Sequence, residues 1–155
     1  MKVFLTLILG TTLFVSSLMA QDDVQTIFVL GENEKAYEML NQSYSQTLLE
    51  VSDFDTQKAF DAWMDMMKQM EEYAKKLRFD IKGVKLWLHV FWNEDGTISH
   101  IGYLMRPDSR NIDNLELAAF LKTFMGRYKL PLSSSRKFSH YTGANFPIYS
   151  EKVNN

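Results

Sequence analysis

The chain has 155 residues, 46% hydrophobic and 14% aromatic, with 17 basic against 19 acidic side chains, a net charge of −2 and no cysteine. That balance lacks the concentrated basic surface that nucleic-acid phosphates or anionic lipids require, so neither is an expected partner. The absence of thiols excludes thiol catalysis, disulfide exchange and thiolate zinc sites.

Residues 1–20 open with Met1-Lys2 and an apolar run over 3–15, then Ser16-Ser17-Leu18-Met19-Ala20 before a polar break at Gln21-Asp22-Asp23. This is the layout of a secretory signal peptide: an early cation, an apolar core shorter than the ~20 residues of a spanning helix, and a small residue before the polar stretch. Cleavage is expected after Ala20, although Leu18 stands where a small side chain is preferred. Lys2 is the one charge lost, which takes the mature chain from −2 to −3. No second stretch approaches spanning length, so the expectation is a periplasmic or secreted protein with no stable membrane insertion after cleavage. A mature chain of roughly 135 residues buries its own core without disulfide staples. It has no repeat, and all three prolines follow residue 106, so residues 21–155 read as a single domain.

Residues 26–30 form a short β-branched and apolar run ended by Gly31, and residues 34–40 read as a short helix. Residues 44–51 fit either period: Tyr37, Leu40, Tyr44 and Leu48 continue a helical stripe, whereas Ser45, Thr47, Leu49 and Val51 alternate. The clearest element is a helix over 54–77, with Ser52 and Asp53 as candidate caps and Phe60, Trp63, Met67, Met70, Ala74 and Leu77 in one stripe. Its methionines read as adaptable core filling, and Glu71 with Lys75 as a favourable i,i+4 pair.

Over residues 84–92, Val84, Leu86, Leu88, Val90 and Trp92 point one way and Lys85, Trp87, His89 and Phe91 the other. Asn93-Glu94-Asp95-Gly96 is a turn, with glycine where positive φ is needed. The strand over 97–105 returns, and a bulge near Ser99-His100 absorbs a slip in its apolar parity. Asp113 with Glu116 makes a capping box for a second amphipathic helix striped by Leu117, Leu121, Phe124 and Tyr128 and stopped by Pro131. Residues 133–149 read as a polar and aromatic tail with one short strand near 138–141.

Three histidines, His89, His100 and His140, raise a metal hypothesis. A Glu94-Asp95-Gly96 loop sets His89 against Ile101 and puts His89 and His100 on opposite faces, whereas a four-residue loop would set them side by side. With no third ligand at metal spacing, no metal site is assigned. There is no nucleophile elbow, phosphate loop or spaced carboxylate pair, so an enzyme is not expected and no catalytic or cofactor-binding residue is named. Ser133-Ser134-Ser135-Arg136-Lys137 reads as a linker rather than an anion site.

The second face of the hairpin carries Trp87, Phe91, Ile101, Tyr103 and Met105 as an apolar strip rimmed by Lys85 and His89. In a self-contained fold the N-terminal segment or the tail covers it; left bare, it is a protein-binding surface beside an open hairpin edge.

The strand, Asn93-Glu94-Asp95-Gly96-Thr97-Ile98 turn, second strand, capped helix and Arg127-Tyr128-Lys129-Leu130-Pro131 exit together resemble the TonB C-terminal-like domain over residues 84–131. The resemblance implies two helices on one face of a small antiparallel sheet, and a function of binding partner peptides or outer-membrane proteins rather than catalysis. A proline-rich spacer is missing and a polar segment with Gly143 and Pro147 stands in place of that family's final long strand, so an energy-transducing role is not implied. The format is also similar to small exported proteins of Bacteroidetes-type bacteria. The expectation is therefore an α+β domain whose two amphipathic helices pack on one face of a small antiparallel sheet. It would act as an exported, non-catalytic interaction module that binds a partner polypeptide, with Trp87, His89, Phe91, Ile101, Tyr103 and Met105 as contacts. The second reading is a carrier of a small apolar ligand, held between the long helix and the sheet by Trp63, Met67, Trp87, Phe91 and Tyr103.

Overall fold

The computed structural model describes residues 24–148; the expected signal segment and its cleavage site lie outside them. In chain order the elements are β1 (Ile27–Val29), α1 (Glu34–Ser43), β2 (Gln46–Thr47), α2 (Leu48–Val51), α3 (Thr56–Leu77), β3 (Lys85–Trp92), β4 (Ile98–Met105), α4 (Asn114–Met125) and β5 (Phe138–Asn145). They form an α+β fold around one five-stranded sheet of order β1-β4-β3-β5-β2. β3 runs antiparallel to both β4 and β5, while β1 and β2 lie parallel to β4 and β5 at the two edges.

Local chemistry sets the boundaries. Asn33 caps α1 by accepting the Ala36 N–H, and Thr47 with Glu50 forms a reciprocal capping box on α2. The cap of α3 is Asp55, later than either candidate, because Asp53 and Phe54 both adopt the left-handed conformation and delay the helix. Asp113 caps α4 by accepting from Leu115 and Glu116 N–H, and the helix ends at Gly126, well before Pro131. Gly96 makes the hairpin turn at φ 85 while the Asn93 N–H donates to the Thr97 carbonyl at 2.9 Å. The expected bulge is present, since Phe91 pairs with His100 and Trp92 with Ile98.

The core lies on the face shared by α3 and α4. Leu86, Leu88, Val90 and Trp92 of β3, with Ile101 and Tyr103 of β4, meet Trp63, Met66, Met67 and Met70 of α3 and Leu117, Phe120 and Phe124 of α4. Each such side chain contributes about 1.5–3 kcal/mol on burial. The 22-residue α3, about 33 Å long, outreaches eight-residue strands of about 27 Å. Phe60 and Leu77, the ends of the expected stripe, are accordingly exposed.

Two expectations are corrected here. The tail holds an eight-residue strand, β5, paired with β3 from Lys85↔Asn145 to Trp92↔Phe138, rather than a short one. Its alternation was masked because His140 and Thr142 occupy inward positions between Phe138 and Ala144. The hairpin also has no open edge: β1 flanks β4 and β5 flanks β3.

Candidate protein-docking face

The bulge at Ser99 decides what stands beside what on the second face. Across β4, β3 and β5 the rows read Leu104–Trp87–Gly143, Gly102–His89–Tyr141 and His100–Phe91–Ser139. His89 and His100 therefore share a face, which corrects the expected opposition; carrying the noted bulge through the register gives this result. By the same shift Ile101 and Tyr103 are buried on the α3/α4 face and Met105 packs there too. Of the six expected contacts, Trp87, His89 and Phe91 come together, and Ile101, Tyr103 and Met105 do not join them.

Part of this face is covered by the N-terminal segment. Tyr37 and Leu40 of α1 and Tyr44, its C-cap, enclose Phe91 with Phe28. The Tyr37 hydroxyl and His89 Nδ1 share a hydrogen bond of 2.7 Å, and the Tyr44 hydroxyl donates to Ser99 Oγ at 2.8 Å. Gly102 leaves room for this lid, because a Cβ there would sit 2.8 Å from the Phe28 ring. His89 is 7% exposed and stacks on Phe91 at 4.0 Å. Burial holds its imidazole down at about 4, with His140 on the opposite face adding to the effect.

Beyond α1 the described residues leave the face exposed. Trp87 is 38% exposed, Leu104 42% and Tyr141 51%. Trp87 stacks on Tyr141 at 5.9 Å, and the Arg106 guanidinium lies 5.5 Å from the indole centre. The indole lies over Gly143, where an added Cβ would meet it at 3.4 Å, an ordinary van der Waals contact. Arg106 donates to Asn145 Oδ1 at 3.3 Å and, with Lys85, pairs with Asp108 at 3.3 and 2.8 Å. The Lys85 hydrogen bond holds the Asp108 carboxyl below its ordinary range. Two cations thus share one carboxylate, and the rim keeps one net positive charge.

The same strip adjoins an unpaired edge. β2 meets β5 only at Phe138 and Ser139 before the chain turns into α2. The Phe146 N–H donates to the Val84 carbonyl at 2.9 Å. In an antiparallel pair that contact sets the alternation, and it turns the N–H and C=O of Tyr141 and Gly143 away from β3. Among the described residues no backbone group pairs with them. Sequence reasoning missed Leu104, Arg106, Tyr141 and this edge.

The carrier pocket does not assemble. Trp63, Met67 and Tyr103 are packed in the core, while Trp87 and Phe91 lie on the other side of the sheet. Among the described residues no cluster of three or more His, Asp or Glu side chains is arranged to hold a metal ion. No protein-family model, no curated protein and no solved structure matches the chain.

Proposed function

We propose that this protein is an exported, non-catalytic interaction module that takes an extended segment of a partner polypeptide as an added strand along β5. The observation that carries this reading is the coincidence of two features in one place. The outward amides of Tyr141 and Gly143 supply main-chain hydrogen bonds, and the Trp87, Tyr141 and Leu104 side chains beside them supply an apolar bed for alternate residues of the added strand. Among the described residues β2 pairs with β5 only at Phe138 and Ser139, and no strand pairs with β5 on that side beyond them. Natural sheets protect long open edges, so an edge left open beside exposed aromatics favours use over neglect. The resemblance of residues 84–131 to the TonB C-terminal-like domain and the signal-like residues 1–20 support the binding role and the exported compartment.

The test is photo-crosslinking in the cells that make the protein, with a benzoylphenylalanine at position 141 and, as a control, at Leu115, which is exposed on α4. A discrete polypeptide adduct from position 141, absent from 115 and lost with Gly143→Pro or Trp87→Lys, is the expected result. Adducts equal at both positions would defeat the proposal.

A further inference from the structure

At the end of α3 the backbone turns through Arg78 in the left-handed conformation (φ 54), which glycine adopts at least cost. The chain keeps a long cation there instead. The loop that follows, residues 79–83, is held from outside by Arg110. Its Nε donates to the Lys82 carbonyl at 2.7 Å, a terminal nitrogen donates to the Asp80 carbonyl, and the guanidinium pairs with the Asp80 carboxylate at 3.6 Å. The Gly83 N–H donates to the Phe146 carbonyl at 2.9 Å, which ties the loop to the chain beyond β5.

Between this fixed loop, the last turns of α3 and Phe146-Pro147 lies an open cleft of about 350 Å³. Ala74, Ile81 and Phe146, all buried, form its floor, and Phe79 closes one side, stacked on Phe120 at 4.8 Å. Its acids are already engaged. Glu71, nearly buried, accepts the Ile148 N–H at 3.0 Å and pairs with Lys75 at 3.3 Å, while Asp80 belongs to Arg110. Arg78 and Lys82 line the cleft, are exposed, and have no carboxylate partner among the described residues.

The geometry points to a binding site for a small amphipathic anion: an alkyl or aryl carboxylate with on the order of ten to fourteen heavy atoms. Its apolar body lies against Phe79, Ile81 and Phe146, and its carboxylate meets Arg78 and Lys82. Neutralised acids leave these two cations to set the field in the cleft, so an anion is preferred to a cation or an alcohol of equal length. Because Arg110 already fixes the wall, little ordering opposes binding. This site is separate from the β5 edge and does not depend on strand addition there.

The test is an NMR titration of the mature chain with decanoate and, separately, decanol. Decanoate is expected to give saturable amide shifts at Phe79, Ile81 and Phe146, with a dissociation constant on the order of 1 mM. The double variant R78E/K82E should weaken decanoate about tenfold and change decanol less than about twofold. The charge-neutral R78Q/K82Q pair gives the same discrimination should charge reversal disturb the fold. Absence of saturable shifts at these residues, shifts centred instead on Trp87 and Leu104, or equal weakening of both probes would overturn the assignment.

Discussion

The Trp87 indole and the Tyr141 phenol lie 5.9 Å apart and within 20° of parallel, one on the central strand and the other on the open side of β5. Trp92, five residues along the same strand, faces the other way and is fully buried against Phe138 at 5.3 Å. The two tryptophans should separate stability from binding. Trp92→Ala is expected to cost about 3–5 kcal/mol, the price of a large core cavity. Trp87→Ala should cost only about 1 kcal/mol, since its ring remains in contact with water. Urea unfolding of both variants checks this, and equal losses would make Trp87 a structural residue rather than a docking one.

Folding holds His89 in its neutral form, and the linkage sign follows. Its imidazole has an ordinary value of 6.5 and is lowered to about 4 by burial, with His140 adding to the shift. The unfolded chain therefore binds the proton first as pH falls. The contribution to stability is fully present above pH 6.5, is lost progressively from 6.5 toward 4, and changes no further below that. The loss should be on the order of 2–3 kcal/mol, with His140, also lowered by burial, contributing in the same direction. Denaturant midpoints taken from pH 7 to 4.5 measure it, and His89→Gln should flatten the profile.

The hairpin turn gives a sharper steric prediction. A Cβ on Gly96 would stand 2.4 Å from the Leu130 carbonyl oxygen and 2.6 Å from that of Leu132, at a φ of 85. Gly96→Ala should therefore cost more than about 2 kcal/mol, through both backbone strain and displacement of the chain after α4. Gly31→Ala is the control: its φ is 95 but nothing lies within 4 Å, so only the conformational cost of about 1 kcal/mol remains. Thermal melts of the two variants should differ by several degrees.

The α1 lid makes a fourth prediction. Tyr37→Phe removes the partner of a nearly buried imidazole nitrogen and should destabilise by about 1–2 kcal/mol. In hydrogen exchange the loss should concentrate in α1 and β1, with β3 and β5 still protected. A uniform loss across the sheet would mean that α1 is integral to the core rather than a cover over Phe91.

Much of this fold could be read from side-chain periods. The alternation of β3, the stripes of α3 and α4, the Gly96 turn and the bulge near Ser99 all come from local patterns, and two helices do share one face of the sheet. What was lost depended on pairing between distant segments. The bulge at Ser99 reverses the parity of everything after it, so treating Ile101 and Tyr103 as neighbours of Trp87 placed core residues on the opposite face of the sheet. β5 gave only a weak signal, because a strand that packs Ala144 and a partly exposed His140 inward and carries Gly143 has no clean apolar alternation. The open edge follows from β2 being two residues long, which no local pattern encodes.

The most direct test of strand addition is hydrogen–deuterium exchange on the unmodified chain mixed with the partner that the position-141 adduct identifies, compared with the free chain. The account predicts that the amides of Tyr141 and Gly143, fast in the free chain, become protected together on binding, while those of Val90 and Ile101 stay slow in both. Unchanged exchange at Tyr141 and Gly143, with protection arising elsewhere, would contradict it.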